Sequence, residues 1–112
     1  MTELNAQQAA RKFMADNFQM DDLEGTIIRA IEQHFPKTIL RDSHNERVVI
    51  RFLSYILKFA SQYVKNVQGQ AIIGSIYGIL NLYGVAGTLA IVRKMQKVAQ
   101  KQKENHVPNS TV

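Results

Sequence analysis

Cysteine and tryptophan are absent from this sequence of 112 residues, and proline occurs only twice. Without cysteine the chain has no disulfide framework, no thiolate metal ligand and no cysteine nucleophile, which fits a reducing compartment. The N-terminal stretch MTELNAQQAARKF lacks a basic segment followed by an apolar one, so we expect no cleaved signal peptide. The length and an apolar content of 46% are those of one globular domain.

Acidic residues are absent from the 57 residues between Arg47 and Lys103, which carry nine bases. The first 46 residues carry eight acids and five bases, so the net charge of +5 is unevenly distributed. Such asymmetry is typical of chains that contact nucleic acid or an anionic membrane. The alternative is that the acidic half packs near the basic half and that the asymmetry serves no partner.

Charge of either sign is absent from residues 71–92, AIIGSIYGILNLYGVAGTLAIV. As one helix these residues would span roughly 33 Å, enough for a hydrocarbon core about 30 Å thick. Gly74 and Gly78 form a G-x-x-x-G pattern, which lets membrane helices approach closely. We therefore predict that this segment enters a membrane or self-associates, through Gly74, Ser75, Gly78, Ile76, Ile79 and Leu80.

The same segment also has the pattern of a soluble helix. Its isoleucines and leucines are spaced for one buried stripe, and Asn81 would be costly in lipid without a partner helix. A break at Gly84 would turn the segment into two helices of a soluble bundle. The opposite face is uncharged too, so we expect lipid, another subunit or the protein's own helices to cover it. A helix lying flat on the membrane is a third interpretation.

Every segment has helical rather than alternating periodicity, which predicts an all-α fold of four or five helices. Asp21 with Glu24, and Ser43 with Glu46, are spaced as capping boxes, and Gly69 is placed to end the third helix. The predicted helices cover about residues 3–18, 21–34 and 44–66, followed by the long uncharged Gly-rich helix. The predicted regions are an amphipathic helical head (1–66), the apolar helix with a basic C-terminal end (70–103) and a flexible tail (104–112).

The third predicted helix is amphipathic. Its apolar face would bury Val49, Phe52, Leu53, Ile56, Ala60 and Tyr63, and its polar face carries only bases among its charged residues. A second group of bases follows Val92, which suits a helix end held at anionic headgroups and places that end in the cytoplasm. The predicted contacts with an anionic surface are Arg47, Arg51, Lys58, Lys65, Arg93, Lys94, Lys97 and Lys101.

Nucleic acid is an alternative partner for these bases. Residues 80–88 resemble the turn of a helix-turn-helix, with a glycine between two helices. The positions that would read bases hold Ala90, Ile91 and Val92, which are apolar, so we expect only non-specific phosphate contact.

Catalysis, metal binding and cofactor binding are not predicted. The three histidines lack metal-ligand spacing, and His34 and His44 have the positions of helix-end residues. No phosphate-binding glycine motif is present. We expect a small, basic, non-enzymatic binding protein that associates with an anionic membrane. The alternatives are a soluble oligomeric interaction module of immunity or assembly type, which would self-associate or bind a protein partner, and a non-specific nucleic-acid binder.

Overall fold

A computed structural model describes residues 3–35 and 43–106, with side chains for residues 5–35 and 46–102. These residues form four helices and no strand, which confirms the all-α prediction. The helices are α1 (Glu3–Asn17), α2 (Leu23–His34), α3 (Ser43–Tyr63) and α4 (Val67–His106). Residues 104–106 of the predicted tail continue α4, and residues 107–112 lie outside the described residues.

One hydrophobic core joins all four helices. α1 packs along α3, and α4 packs against both α2 and α3. The ring of Phe52 lies at the centre, with Phe13 edge-on at 6.1 Å and His34 at 4.3 Å between ring centroids. The buried apolar residues come from the predicted head and from the predicted apolar helix alike. The two regions are therefore packed together rather than separate.

The start of α2 differs by one residue from the predicted capping box. Asp22, not Asp21, is the N-cap, and its Oδ1 accepts a hydrogen bond from the backbone N–H of Gly25 at 2.9 Å. The backbone carbonyl of Asp22 accepts from the Thr26 hydroxyl, also at 2.9 Å. This cap fixes Leu23 and the apolar residues that follow it on the core side of α2.

The connection between α3 and α4 lies three residues earlier than predicted, at residues 64–66. Gly69 does not end a helix, because α4 already begins at Val67 and Gly69 lies in its first turn. The Asn66 side-chain oxygen accepts a hydrogen bond from the Gly69 N–H at 2.6 Å and so caps α4. Tyr63, predicted to be buried, is 57% exposed at the end of α3, where its ring lies 5.8 Å from that of Phe18.

α4 is broken at Gly84, which has a φ of 73° and a ψ of −171°. This conformation is accessible almost only to glycine. We call residues 67–83 the first segment of α4 and residues 85–106 the second segment. Glu46 accepts a hydrogen bond at Oε1 from the N–H of Val85, the first residue of the second segment. Its predicted capping-box partner Ser43 lies outside the residues whose side chains are described.

Candidate functional site

The bases predicted on α3 form an exposed row. Arg47 and Arg51 lie one turn apart on the helix, Lys58 lies two turns further on, and Lys65 follows the end of the helix. All four residues are exposed, and none of them forms an ion pair within the described part of the chain. We call these four residues the α3 basic row.

Acidic residues of α2 and of the turn before it pair with bases outside the α3 basic row. Asp22 lies 3.8 Å from Arg29, and Glu32 lies 3.0 Å from Arg93 of the second segment of α4. The Glu32–Arg93 contact is of the kind expected if the acidic half packs near the basic half. No such contact reaches the α3 basic row among the side chains that the structure describes.

A groove separates α3 from the first segment of α4. It has a volume of about 380 Å³ and is lined by Arg51, Ser54, Tyr55, Lys58 and Tyr77. We call it the α3–α4 groove. It places two cations and a serine hydroxyl from one helix opposite a tyrosine from the next.

The groove continues toward the turn between the two helices. A neighbouring space of about 270 Å³ shares Ser54, Lys58 and Tyr77 with it and adds Gly74 to its lining. Near the turn, the side-chain amide of Gln70 donates a hydrogen bond to the Ser61 carbonyl at 2.8 Å, which ties the first segment of α4 to the end of α3. This tie holds the two walls of the groove in register.

The residues predicted for membrane contact or self-association lie on two different sides of α4. Ile76 and Leu80 are each 1% exposed and belong to the core, whereas Gly78 and Ile79 are half-buried. Gly74 and Ser75 are exposed. The predicted set is therefore not one surface, because Ile76 and Leu80 belong to the core whereas Gly74 and Ser75 are exposed.

The outward face of the first segment is uncharged and is not covered by the protein's own helices. Val67 is 86% exposed and Leu82 is 78% exposed, and the exposed Ala71 and Gly74 lie between them. A Cβ added at Gly74 would meet no heavy atom within 4 Å. Of the three covers that the sequence left open, the protein's own helices are thus excluded for this face within residues 3–35 and 43–106.

The second predicted group of bases lies on the second segment of α4. Lys94, Lys97 and Lys101 are exposed there, and Arg93 is exposed while paired with Glu32. The eight predicted bases therefore form two groups, one along α3 and just after it and one on the second segment of α4.

The groove residues Ser54 and Tyr77 were not predicted as part of a site. A signal for them does exist in the sequence. A connection of few residues makes two helices antiparallel neighbours, so positions at equal distances before and after the turn face each other. Once α3 is known to end at Tyr63 and α4 to begin at Val67, Ser54 and Tyr77 are within one residue of such a pair. The erroneous stop at Gly69 obscured that register.

By length and composition, residues Val67–Gln102 of α4 form a helix that is apolar enough to cross a membrane. Only 28% of its most apolar stretch is buried within the protein. Within the described residues, no group of three or more His, Asp or Glu side chains is arranged to hold a metal ion. No protein-family model matches the chain, and neither does any curated protein or solved structure.

Proposed function

We propose that this protein is a non-enzymatic binding protein that attaches to the surface of anionic membranes. The attachment surface comprises the α3 basic row, the α3–α4 groove and the outward face of the first segment of α4. The observation that carries the proposal is the adjacency of these features: Lys58 and Gly74 line the same groove, so exposed cations border an uncharged and exposed helix face.

The energetics of such a surface suit reversible attachment. A base near an anionic bilayer contributes about 1 kcal/mol, so the four residues of the α3 basic row together supply several kcal/mol. Tyr77, which is 49% exposed, has the amphipathic ring that is enriched at membrane interfaces. Val67 and Leu82 add exposed apolar area on the same segment.

Attachment at the surface fits this fold better than enclosure of α4 by lipid. Ile76, Leu80 and Val85 of α4 are buried in the protein core, so lipid reaches only the opposite side of the helix. The break at Gly84 also interrupts the straight run of helix on which the span length depends. In this proposal the bundle stays folded and meets the headgroup layer with one face.

Nucleic acid would use the same bases, and it is the rival that the test must separate. Contact with nucleic-acid phosphates does not require an uncharged helix face beside the cations. We expect binding to vesicles that contain phosphatidylglycerol, no binding to vesicles of phosphatidylcholine alone, and no displacement by duplex DNA at equal phosphate concentration. Displacement of the protein from vesicles by DNA would favour the rival.

A pair of charge-matched variants tests the surface itself. The triple variant Arg51→Gln, Lys58→Gln, Lys65→Gln removes three charges from the α3 side. The control Lys94→Gln, Lys97→Gln, Lys101→Gln removes three exposed charges from the second segment of α4. In vesicle flotation we expect the first variant to lose at least about 2 kcal/mol of binding free energy and the control to lose less than half of that. Equal losses would mean that net charge alone attracts the protein.

Self-association is a second candidate function. It is favoured by the open space around Gly74 and Gly78, where a second helix could approach the backbone closely. We expect the sedimentation coefficient to rise with protein concentration, and the double variant Gly74→Leu, Gly78→Leu to stay monomeric. A chain that is monomeric at every concentration, with and without vesicles, would refute this candidate without affecting the first.

A further inference from the structure

The α3–α4 groove has the chemistry of a small anion site. Arg51, Ser54 and Lys58 follow the spacing i, i+3, i+7, which brings their side chains to one face of α3. Tyr77 forms the facing wall from α4. No carboxylate lines the groove within the part of the chain that the structure describes, so the potential inside it is positive.

These side chains provide complementary ways of binding a phosphate group. The Arg51 guanidinium offers a planar fork that donates to two oxygens at once, whereas the Lys58 ammonium offers a compact charge. The hydroxyls of Ser54 and Tyr77 each add a donor for a further oxygen. A phosphomonoester has three terminal oxygens and a charge near −2, so it can use more of these donors than a singly charged phosphodiester.

The size of the groove suits a headgroup rather than an enclosed ligand. Its volume of about 380 Å³ lies near the lower end of the range of small-molecule sites, about 300–1,000 Å³. It lies along the proposed membrane surface, beside the outward face of the first segment of α4. A phosphate presented at the bilayer surface could therefore enter it while its acyl chains stay in the bilayer.

We propose that the α3–α4 groove binds the phosphomonoester of a lipid headgroup, and that Arg51, Ser54, Lys58 and Tyr77 make this a selective site within the attachment surface. The inference rests on the proposed membrane attachment and names the lipid chemistry that the attachment favours. Membranes rich in phosphatidic acid are then bound more tightly than membranes of equal surface charge made with phosphatidylglycerol.

The chain offers matched controls within the α3 basic row. Arg47 and Lys65 are exposed members of the α3 basic row, but neither lines the groove. Arg51→Gln is therefore compared with Arg47→Gln, and Lys58→Gln with Lys65→Gln. Tyr77→Phe removes only the hydroxyl. Circular dichroism and thermal unfolding of each variant establish that the fold is retained before binding is compared.

The experiment is vesicle flotation with phosphatidic acid or phosphatidylglycerol in phosphatidylcholine, with the vesicles matched for zeta potential. For the unaltered chain we expect about tenfold tighter binding to phosphatidic acid, which corresponds to about 1.4 kcal/mol. Arg51→Gln and Lys58→Gln should abolish this preference, whereas Arg47→Gln and Lys65→Gln should weaken binding to both lipids equally. Equal binding to both lipids by the unaltered chain would overturn the phosphate site and leave the attachment itself standing.

A second arm separates lipid from free phosphate. Glycerol 3-phosphate is titrated into labelled protein without vesicles, and amide shifts are followed at Ser54 and Tyr77. Shifts that appear at millimolar glycerol 3-phosphate, vanish in Arg51→Gln and persist in Arg47→Gln support the groove as the site. If these shifts occur but no vesicle is bound, the source is a soluble phosphate and the proposed attachment is wrong. If no shift and no lipid preference are seen, the groove is not a phosphate site.

Discussion

Glu46 at the start of α3 accepts a hydrogen bond from the backbone N–H of Val85, 39 residues further along the chain, at 3.3 Å. The same carboxylate lies against Gly84, where an added Cβ would meet Glu46 Oε1 at 2.3 Å. The first N–H groups of a helix have no partner within the helix, and a carboxylate there also interacts favourably with the helix dipole. Glu46 thus caps the second segment of α4 and couples the break at Gly84 to α3.

Replacing Gly84 by alanine should destabilise the protein. An L-residue is strained at a φ of 73° and a ψ of −171°, and its Cβ would displace the Glu46 carboxylate. We expect Gly84→Ala to lower the free energy of unfolding by about 1–3 kcal/mol in urea titrations followed by circular dichroism. Gly74→Ala is the control, because that helical position is open, and it should stabilise by up to about 1 kcal/mol. Similar effects at the two positions would contradict the break.

Removing the Glu46 carboxylate should lower the free energy of unfolding by as much as the loss of a helix cap does. We expect Glu46→Ala to lower the free energy of unfolding by about 0.5–2 kcal/mol. Glu46→Gln should lose less, because its amide oxygen can still accept from the Val85 N–H. Glu32→Ala removes an acid from an exposed ion pair with Arg93 and should cost at most about 1 kcal/mol. A larger loss in Glu32→Ala than in Glu46→Ala would count against the capping role.

Two leucines separated by one residue should respond very differently to truncation. Leu80 is 1% exposed in the core, and Leu82 is 78% exposed on the outward face. We expect Leu80→Ala to cost about 2–5 kcal/mol of unfolding free energy. Leu82→Ala should change it by no more than about 0.5 kcal/mol. Vesicle binding should instead depend on Leu82. We expect Leu82→Glu to weaken attachment while the protein stays folded. Equal destabilisation by both alanines would mean that α4 is buried on all sides.

Salt should release the protein from vesicles, because the cations of the attachment surface are exposed. The screening length falls from about 30 Å at 0.01 M salt to about 3 Å at 1 M. We expect the partition coefficient to drop at least about tenfold over this range, with each base contributing about 1 kcal/mol at low salt. Binding that is unchanged by salt would show that apolar contact alone holds the protein on the vesicle.

The elements of this fold were predictable wherever local signals decided them. The apolar spacing of α1, α2 and α3 predicted their extents within about three residues, because each buries one stripe against the others. The caps were less predictable. Asp21 and Asp22 are adjacent and chemically equivalent, and only the entry path of the chain selects Asp22. In the sequence, Gly69 fits either the end of α3 or the first turn of α4. Its N–H donates to the Asn66 side chain, which caps α4 and so places Gly69 in the first turn.

The candidate surface was less predictable than the fold, because it depends on which helices are neighbours. The exposed bases of α3 followed from its periodicity, and the structure leaves them exposed. The pattern of α4 separated the stripe of Ile76 from the face of Gly74, but it could not show that Gly74 lies beside Lys58. A break at Gly84 was one of two interpretations in the sequence, since a glycine is tolerated both within a helix and at a positive φ.

Extraction of the intact chain from membranes tests surface attachment most directly. Membranes from cells that produce the chain are collected at low salt, washed with alkaline carbonate and then treated with detergent. We expect the protein to sediment with the membranes at low salt and to be released by carbonate, because one face of a folded bundle holds it there. Resistance to carbonate with release only by detergent would contradict surface attachment and would mean that α4 is enclosed by lipid.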